Sequence, residues 1–578
     1  MLSAMQNRKL FILCYAAFTL MNNAPGFAQE QRHIVSNPIN LNYRFMIDGT
    51  SRREAADPVL EYFKGKYYLF ASKSGGYWSS KDLCEWNYIP CKSISTIEAY
   101  APTIMEYKDE LYFLASGPKF QVFKTKNPDT DNWEAVDMQY TRGGTDPTLF
   151  KDDDGKVYLY WGCSDKSPIT GIQVDPDNGF KAIGQEVVLI THNEDKYGWE
   201  VQGENNELNK PGWNEGPTMI KYKGKYYLQY ASPGTQFRTY GDGAYISHSP
   251  LGPFTYVEST PFSFKPGGFI GGAGHGHTFK DKYGNYWHVA TMKISIRQNF
   301  ERRLGLFPSY FADDDMLYSH TVWTDYPFQV PQKKTDFRKT DCSMGWNILS
   351  FNKKIYASSE LPRYEAVKAN DEHIESWWAA NSGKPGEWLK IDLGKPMTVN
   401  AIQVNLADHN FKLLGPDYYC YQYIIECSSD GTNWQTLIDR TSNNKDMPHE
   451  LIVLNKPTKT RFIRIKNTKE IPGCFSLYDF RIFGNGNGLM PQNVSNVTVL
   501  RNDTDKRIIR LNWKEDKTAT GYIVRWGIDK NKLHSSKMVY SNSFEGRFFN
   551  RSSKYYFSID SFNESGVKEY AGEIISVD

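Results

Sequence analysis

The sequence predicts an all-β protein, a five-bladed β-propeller followed by two β-sandwich domains. Helix-period patterns are almost absent once the first 28 residues are set aside, and a strand–turn–strand unit recurs five times. Beyond residue 342 the repeat gives way to alternating strands separated by longer loops. A chain of 578 residues also exceeds what one hydrophobic core organises, so about three domains are expected.

The N-terminus carries Arg8 and Lys9, an apolar run from Leu10 to Met21, and Gly26-Phe27-Ala28 ahead of Gln29. This reads as a secretory signal over residues 1–28, cleaved after Ala28. The run is too short to stay in a bilayer as a helix, and no other segment is long and apolar enough. A secreted or periplasmic protein is expected, with no integral membrane segment in the mature chain. Cys14 lies inside the apolar run, which argues against lipidation.

Lys+Arg 68 against Asp+Glu 66 leaves a formal charge of +2 with no basic block, which argues against a nucleic-acid partner. Eight cysteines, one of them in the signal, form a sparse set without a Cys-x-x-Cys pair. That pattern suits neither a disulfide scaffold nor a zinc site. Cys84 with Cys91 and Cys420 with Cys427 are the candidate pairs, and buried free thiols are the alternative.

The propeller is expected over residues 33–332. Its unit reads Asp57-Pro58-Val59-Leu60 leading to Gly65-Lys66-Tyr67-Tyr68-Leu69. It returns at Ala101-Pro102-Thr103-Ile104, at Asp146-Pro147-Thr148-Leu149 and at Gly216-Pro217-Thr218-Met219, with the fifth copy aligned at Gly276-His277-Thr278-Phe279. Each copy runs into a turn and an aromatic strand, which is a hairpin signature. Five copies at roughly 40 to 70 residues match radial blades. The Pro- and Lys-rich stretch Tyr326–Lys339 reads as a linker. Residues 342–484, with Trp388–Gly394 and Arg461–Ile465 as alternating strands, read as a sandwich. Gly484-Asn485-Gly486-Asn487-Gly488 reads as a flexible second linker. Residues 490–578, with Trp513, Tyr522–Trp526 and Tyr555–Ile559, read as a small immunoglobulin-like sandwich.

Three acids occupy matched places in the repeat. Asp57 and Asp146 directly precede the proline, and Glu215 precedes Gly216-Pro217. The first strand of a blade lines the channel, so these acids from three blades are expected to meet at one mouth. One acid beside a proline is ordinarily a turn residue. Three at matched positions point instead to chemistry that needs clustered carboxyls. Glycoside cleavage is such chemistry: one protonated carboxyl donates to the leaving oxygen, and an ionised one works on the other face of the sugar. A third carboxylate helps keep the acid protonated.

Arg53-Glu54-Ala55-Ala56-Asp57-Pro58, then Thr145-Asp146-Pro147 before Asp152-Asp153-Asp154-Gly155, then Asn214-Glu215-Gly216-Pro217, resemble glycoside hydrolase family 43 over residues 40–330. The resemblance implies an inverting five-bladed propeller, with Asp57 as general base, Asp146 as pKa modulator and orienter, and Glu215 as general acid. It also implies that His275, in Gly272-Ala273-Gly274-His275, coordinates a calcium ion or its water shell, the alternative being a hydrogen-bonded structural histidine. No cofactor is required for the chemistry. Trp78, Trp199 and Trp213 near the motif loops are candidates to stack on sugar, or else core residues. Gln236, Arg238 and Tyr245 are candidates to reach its hydroxyls.

Asp371–Ile374, Trp377–Gly383 and Glu387–Gly394 resemble the discoidin, or coagulation factor 5/8 type C, domain, which implies possible glycan binding. The last domain is similar to a fibronectin type III module, which implies a spacer. The expected partner is plant cell-wall oligo- or polysaccharide, and the expected activity is exo-acting α-L-arabinofuranosidase. The alternatives are a β-xylosidase, a galactan-active exo-glycosidase, or a non-catalytic glycan-binding protein.

Overall fold

The computed structural model describes residues 33–569 and 572–578; the signal expected at residues 1–28 lies outside them. Regular structure among the described residues is strand, apart from three 3-10 turns at Pro176–Asn178, Gly198–Glu200 and Ala366–Ala369. Among the described residues no helix is long and apolar enough to cross a membrane.

The five repeats build five antiparallel sheets in chain order. Blade one is Ala56–Phe63, Lys66–Ser72, Gly76–Ser80 and Asn87–Pro90. Blade two opens with Thr103–Tyr107 and Glu110–Leu114, blade three with Thr148–Lys151 and Val157–Trp161. Blade four holds Asn214–Tyr222, Lys225–Ser232 and Gly241–Ser247, with Cys163–Ser164 added along its first strand. Blade five is Gly271–Lys280, Tyr286–Lys293, Arg302–Phe311 and Leu317–Ser319. Aromatic side chains fill the seams: Phe70, Tyr77, Phe113 and Trp133 lie together between the first two blades. Such rings contribute about 0.5–1.5 kcal/mol per pair beyond the area they bury.

The ring is closed by Ile34–Val35 pairing with Phe328–Gln329, at the two ends of the propeller segment. The stretch expected to be a linker is therefore packed. Phe328 sits in the core shared by blades one and five, and the buried ring of Phe337 meets Trp287 edge-on at 4.9 Å. Its proline and lysine content concealed two buried phenylalanines.

In the following sandwich, two 19-residue strands, Trp388–Leu406 and His449–Asn467, run antiparallel through the domain. Ser476–Asn485 lies beside the first of them. Gly484 and Asn485 thus belong to a strand, and the Gly486 amide donates to the Glu564 carbonyl, so this second expected linker is also docked. The C-terminal sandwich sets Thr498–Arg501, Ile509–Asn512 and Ser543–Gly546 against a five-stranded sheet and packs on blade four through Phe264 and Phe548. All seven cysteines of the described residues are free thiols, which removes both candidate disulfides.

Phe337→Ala tests the docked strap. Removing a buried phenylalanine is expected to cost about 3–5 kcal/mol, read from the urea transition. A free linker would lose nothing.

Candidate active site

One residue in each blade, at the start of the channel strand, adopts the left-handed conformation. These are Asp57, Ala101, Asp146, Gly216 and His275, with φ of 51°, 49°, 53°, 58° and 45°. That conformation costs a non-glycine residue about 1–2 kcal/mol. Each of the five amides donates to a side chain of the preceding blade. Asp57 N reaches Thr291 Oγ1 at 2.8 Å, Ala101 N reaches Ser72 Oγ at 2.7 Å, and Asp146 N reaches Ser116 Oγ at 2.9 Å. Gly216 N reaches Asp146 Oδ2 at 3.2 Å, and His275 N reaches Asp242 Oδ1 at 2.8 Å. The backbone therefore makes His275, not Gly276, the blade-five counterpart of Asp57. The repeat was misaligned by one residue there because blade five lacks the proline that marks the others.

Asp57, Asp146, Glu215 and His275 are all buried in one cluster. His275 Nδ1 stands 3.3 Å from Asp57 Oδ1 and 3.7 Å from Asp146 Oδ2. A β-carbon on Gly216 would fall 2.5 Å from His275 Cδ2, so the glycine makes room for the imidazole. Glu215, one residue earlier, accepts the Tyr240 hydroxyl at 2.5 Å and the Cys163 thiol at 3.0 Å. Asp57 accepts the Ser72 hydroxyl at 2.5 Å and the Arg302 guanidinium at 3.2 Å. Arg302 also donates to Glu54 at 2.8 Å.

These surroundings drive the acids apart. Burial would raise the Asp57 pKa, but Arg302, His275 and the Ser72 bond outweigh it and hold the group below the ordinary value. Glu215 moves up: burial dominates, the Asp57 charge adds to it, and His275, Cys163 and Tyr240 oppose without prevailing. Asp146 also moves up, through burial and the charges of Glu215 and Asp57, with His275 opposing. Burial would lower the His275 pKa, yet the carboxylates of Asp57, Asp146, Glu215 and Asp242 raise it, favouring imidazolium.

Calcium takes six to eight oxygen ligands. His275 offers a nitrogen, and the carboxylates nearest to it are already engaged by Ser72, Arg302 and the Gly216 amide. Asp146, Cys163 and Glu215 bring ligand atoms within 4.8 Å of one another, but the thiol donates to Glu215 and burial pushes its pKa far up. These residues fit a charge-sharing imidazole better than a side-chain calcium cage.

Trp213 is 40% exposed on the turn into Asn214–Tyr222, and half-buried Gln236 lies on the loop that also carries Thr235 and Tyr240. Trp78 and Tyr245 do not reach the mouth. At 1% and 7% exposure they belong to blade cores, on strands Gly76–Ser80 and Gly241–Ser247, as does Trp199. Arg238 is turned away to the Gly268 carbonyl. Ser72, Cys163, Tyr240 and Arg302 were missed because they lie outside the repeated motif: Ser72 ends a second strand, Arg302 opens a third, Cys163 sits on the short strand beside blade four's first strand, and Tyr240 lies on a loop. The one signal was a charged pair, Arg302-Arg303, opening an apolar strand. Tyr100 and Phe300, 38% and 40% exposed, face each other at 6.0 Å beside Arg302 and form an aromatic lip.

Residues 50–317 match Glycosyl hydrolases family 43, and residues 354–479 match the F5/8 type C domain. The chain is similar to the beta-D-galactofuranosidase xynD of Aspergillus niger, 25% identical over 257 residues, 38% of this chain and 68% of that protein. It is similar to the arabinoxylan arabinofuranohydrolase of Paenibacillus polymyxa, 32% identical over 149 residues, 25% of this chain and 22% of that protein. It is also similar to the xylosidase/arabinosidase 43A of Humicola insolens, 30% identical over 158 residues, 23% of this chain and 46% of that protein. The matches thus span from 22% to 68% of the relatives' lengths.

Gly216→Ala is expected to cost about 1–3 kcal/mol through its strained φ. It should also displace the imidazole, read as a shifted His275 resonance in the NMR spectrum. An unmoved resonance would refute the packing described.

Proposed function

We propose that the chain, whose residues 50–317 match Glycosyl hydrolases family 43 and whose residues 354–479 match the F5/8 type C domain, is an exported, inverting enzyme removing terminal pentose from plant cell-wall polysaccharide. The observation that carries this reading is the opposite displacement of Asp57 and Glu215 within one buried cluster. An acid–base pair needs that separation to work at one pH.

Asp57, ionised, takes a proton from water as the water oxygen bonds to the anomeric carbon. Glu215, protonated, gives its proton to the glycosidic oxygen, which leaves with the electron pair of the broken C–O bond. The product is a hemiacetal of inverted configuration; inverting glycosidases in general hold their two carboxyls about 6.5–9.5 Å apart to admit the water. Asp146 accepts the amide of the peptide following Glu215 and so fixes where that carboxyl stands, while the Asp57 charge favours the protonated form of Glu215.

An α-L-arabinofuranosidase is the first choice of substrate class, supported by the arabinofuranohydrolase among the relatives and by a second relative that also acts on a furanoside. A β-xylosidase is the second, supported by the xylosidase/arabinosidase. The F5/8 type C domain suits glycan contact, and the C-terminal domain suits a fibronectin type III-like spacer.

Release from 4-nitrophenyl arabinofuranoside against xyloside decides between the two sugars, and NMR of the first-formed anomer tests inversion. No release from either, nor from arabinan or arabinoxylan, would leave a glycan-binding protein. Asp57→Asn is expected to lower kcat about 10²–10⁴-fold on every substrate, and Glu215→Gln to do so on substrates with poor leaving groups.

The pH profile follows from the shifts. A base held below its ordinary value puts the acidic limb of kcat/KM below pH 3.8, and an acid held above its ordinary value puts the basic limb above pH 4.5. Cys163→Ala removes a donor that favours the carboxylate of Glu215, so its pKa rises and the basic limb moves to higher pH. A shift to lower pH would contradict the assignment of Glu215.

A further inference from the structure

We propose that the F5/8 type C domain is a working part of the active site, clamping the blade-five mouth loop and positioning Arg302 beside Asp57. The proposal rests on the catalytic reading of Asp57 given above. The loop, residues 294–301, joins Tyr286–Lys293 to Arg302–Phe311, and Lys293 pairs directly with Arg302 across that hairpin. It therefore lies at the same end of the propeller as the acids.

The grip joins a brace inside the loop to bonds that cross to the sandwich. Arg297, at the centre of the loop, donates to Glu301 of the same loop at 2.6 Å and, across to the sandwich, to the Tyr478 hydroxyl at 2.8 Å. It also donates to the Ala407 carbonyl and lies 5.6 Å from the Trp377 ring. Glu301, the residue immediately before Arg302, is fully buried and has Arg297 and Tyr478 as its side-chain partners. A carboxylate so placed holds its position only while those partners are there. At the other end of the loop, Lys293 pairs with Glu375 of the sandwich at 3.0 Å, and Ile374 joins the blade-five core beside Ala273 and Met292.

The same domain holds the residues flanking the reacting pair. Arg53, on the segment leading to Asp57, donates to Asp408 at 2.7 Å and Asp446 at 2.8 Å. Arg303, next to Arg302, donates to His449 at 2.9 Å and to the Arg53 carbonyl at 2.6 Å. Both strands that bear the Asp57–Arg302 contact are thus anchored from outside the propeller. Asp57 is faced by Arg302 and His275 from blade five, Asp146 from blade three, and Glu215 and Tyr240 from blade four, with Glu54 behind Arg302. Of the two cations in this set, Arg302 is the one adjoining the clamped loop. Loosening the loop weakens that cation's hold and lets the acidic limb of the reaction climb.

The test uses the full chain with Tyr478→Phe and Trp377→Ala, which thin the clamp without stranding a buried charge. Arg297→Met is compared with Arg297→Lys, and Tyr356→Ala, exposed on the strand Lys354–Ala357 that pairs with Trp388–Leu406, serves as control. On the aryl glycoside that wild type cleaves, kcat/KM is expected to fall roughly tenfold, chiefly through KM, with the acidic limb moved to higher pH. Arg297→Lys should recover part of both. Hydrogen exchange of amides 294–302 should quicken at least about tenfold in the clamp variants and stay unchanged in the control. Unchanged exchange overturns the proposal, and so does faster exchange with KM and acidic limb unmoved, since the domain would then only prop the fold. If wild type cleaves nothing, the catalytic reading fails by itself, and exchange still decides whether the domain orders the loop.

Discussion

The site depends on one repeated constraint: a left-handed residue at the mouth of each blade whose amide is held by the blade before it. The strain alone would be unfavourable at Asp57, Ala101, Asp146 and His275. The hydrogen bond offsets it and ties the torsion to the seam between two sheets. Side chains leaving three of these matched positions, Asp57, Asp146 and His275, are aimed at one point. At the fourth, Gly216, the lack of a side chain leaves space for His275 and moves the acid back by one residue, to Glu215. The same backbone device thus delivers two carboxylates, an imidazole and a void.

Electrostatics then differentiates acids that would otherwise be alike. All are buried, and burial alone would push all of them up. Asp57 alone meets a guanidinium, and Arg302 reverses its direction. Glu215 meets neutral donors, a phenol and a thiol, which temper the shift without reversing it. Two carboxyls of similar intrinsic acidity are displaced in opposite directions by the residues around them.

Much of this was legible in the sequence where position repeats. The X-Pro units marked four mouths, and the acids stood out by their offsets from proline. Legibility failed where the marker was missing, as in blade five, and where a residue lies outside the repeated motif, as Arg302, Tyr240, Cys163 and Ser72 do. Composition misled at Tyr326–Lys339 and at Gly484–Gly488, because docking there is decided by a few contacts, Phe337 on Trp287 and Gly486 on Glu564, that residue percentages do not express. Trp78 and Tyr245 were drawn towards the mouth by nearness in sequence, whereas their strands carry them into blade cores.

The pairing of Ile34–Val35 with Phe328–Gln329 bears on how the molecule is made. Asn37, near the first of these strands, also exchanges side-chain bonds with Leu306 in the last blade. The circle cannot be sealed until the fifth sheet has been synthesised, so a nascent chain carries an unsatisfied edge for most of its production. Cooperative closure late in biogenesis follows, and with it a vulnerability: a product cut short after blade four would keep an open seam that invites self-association.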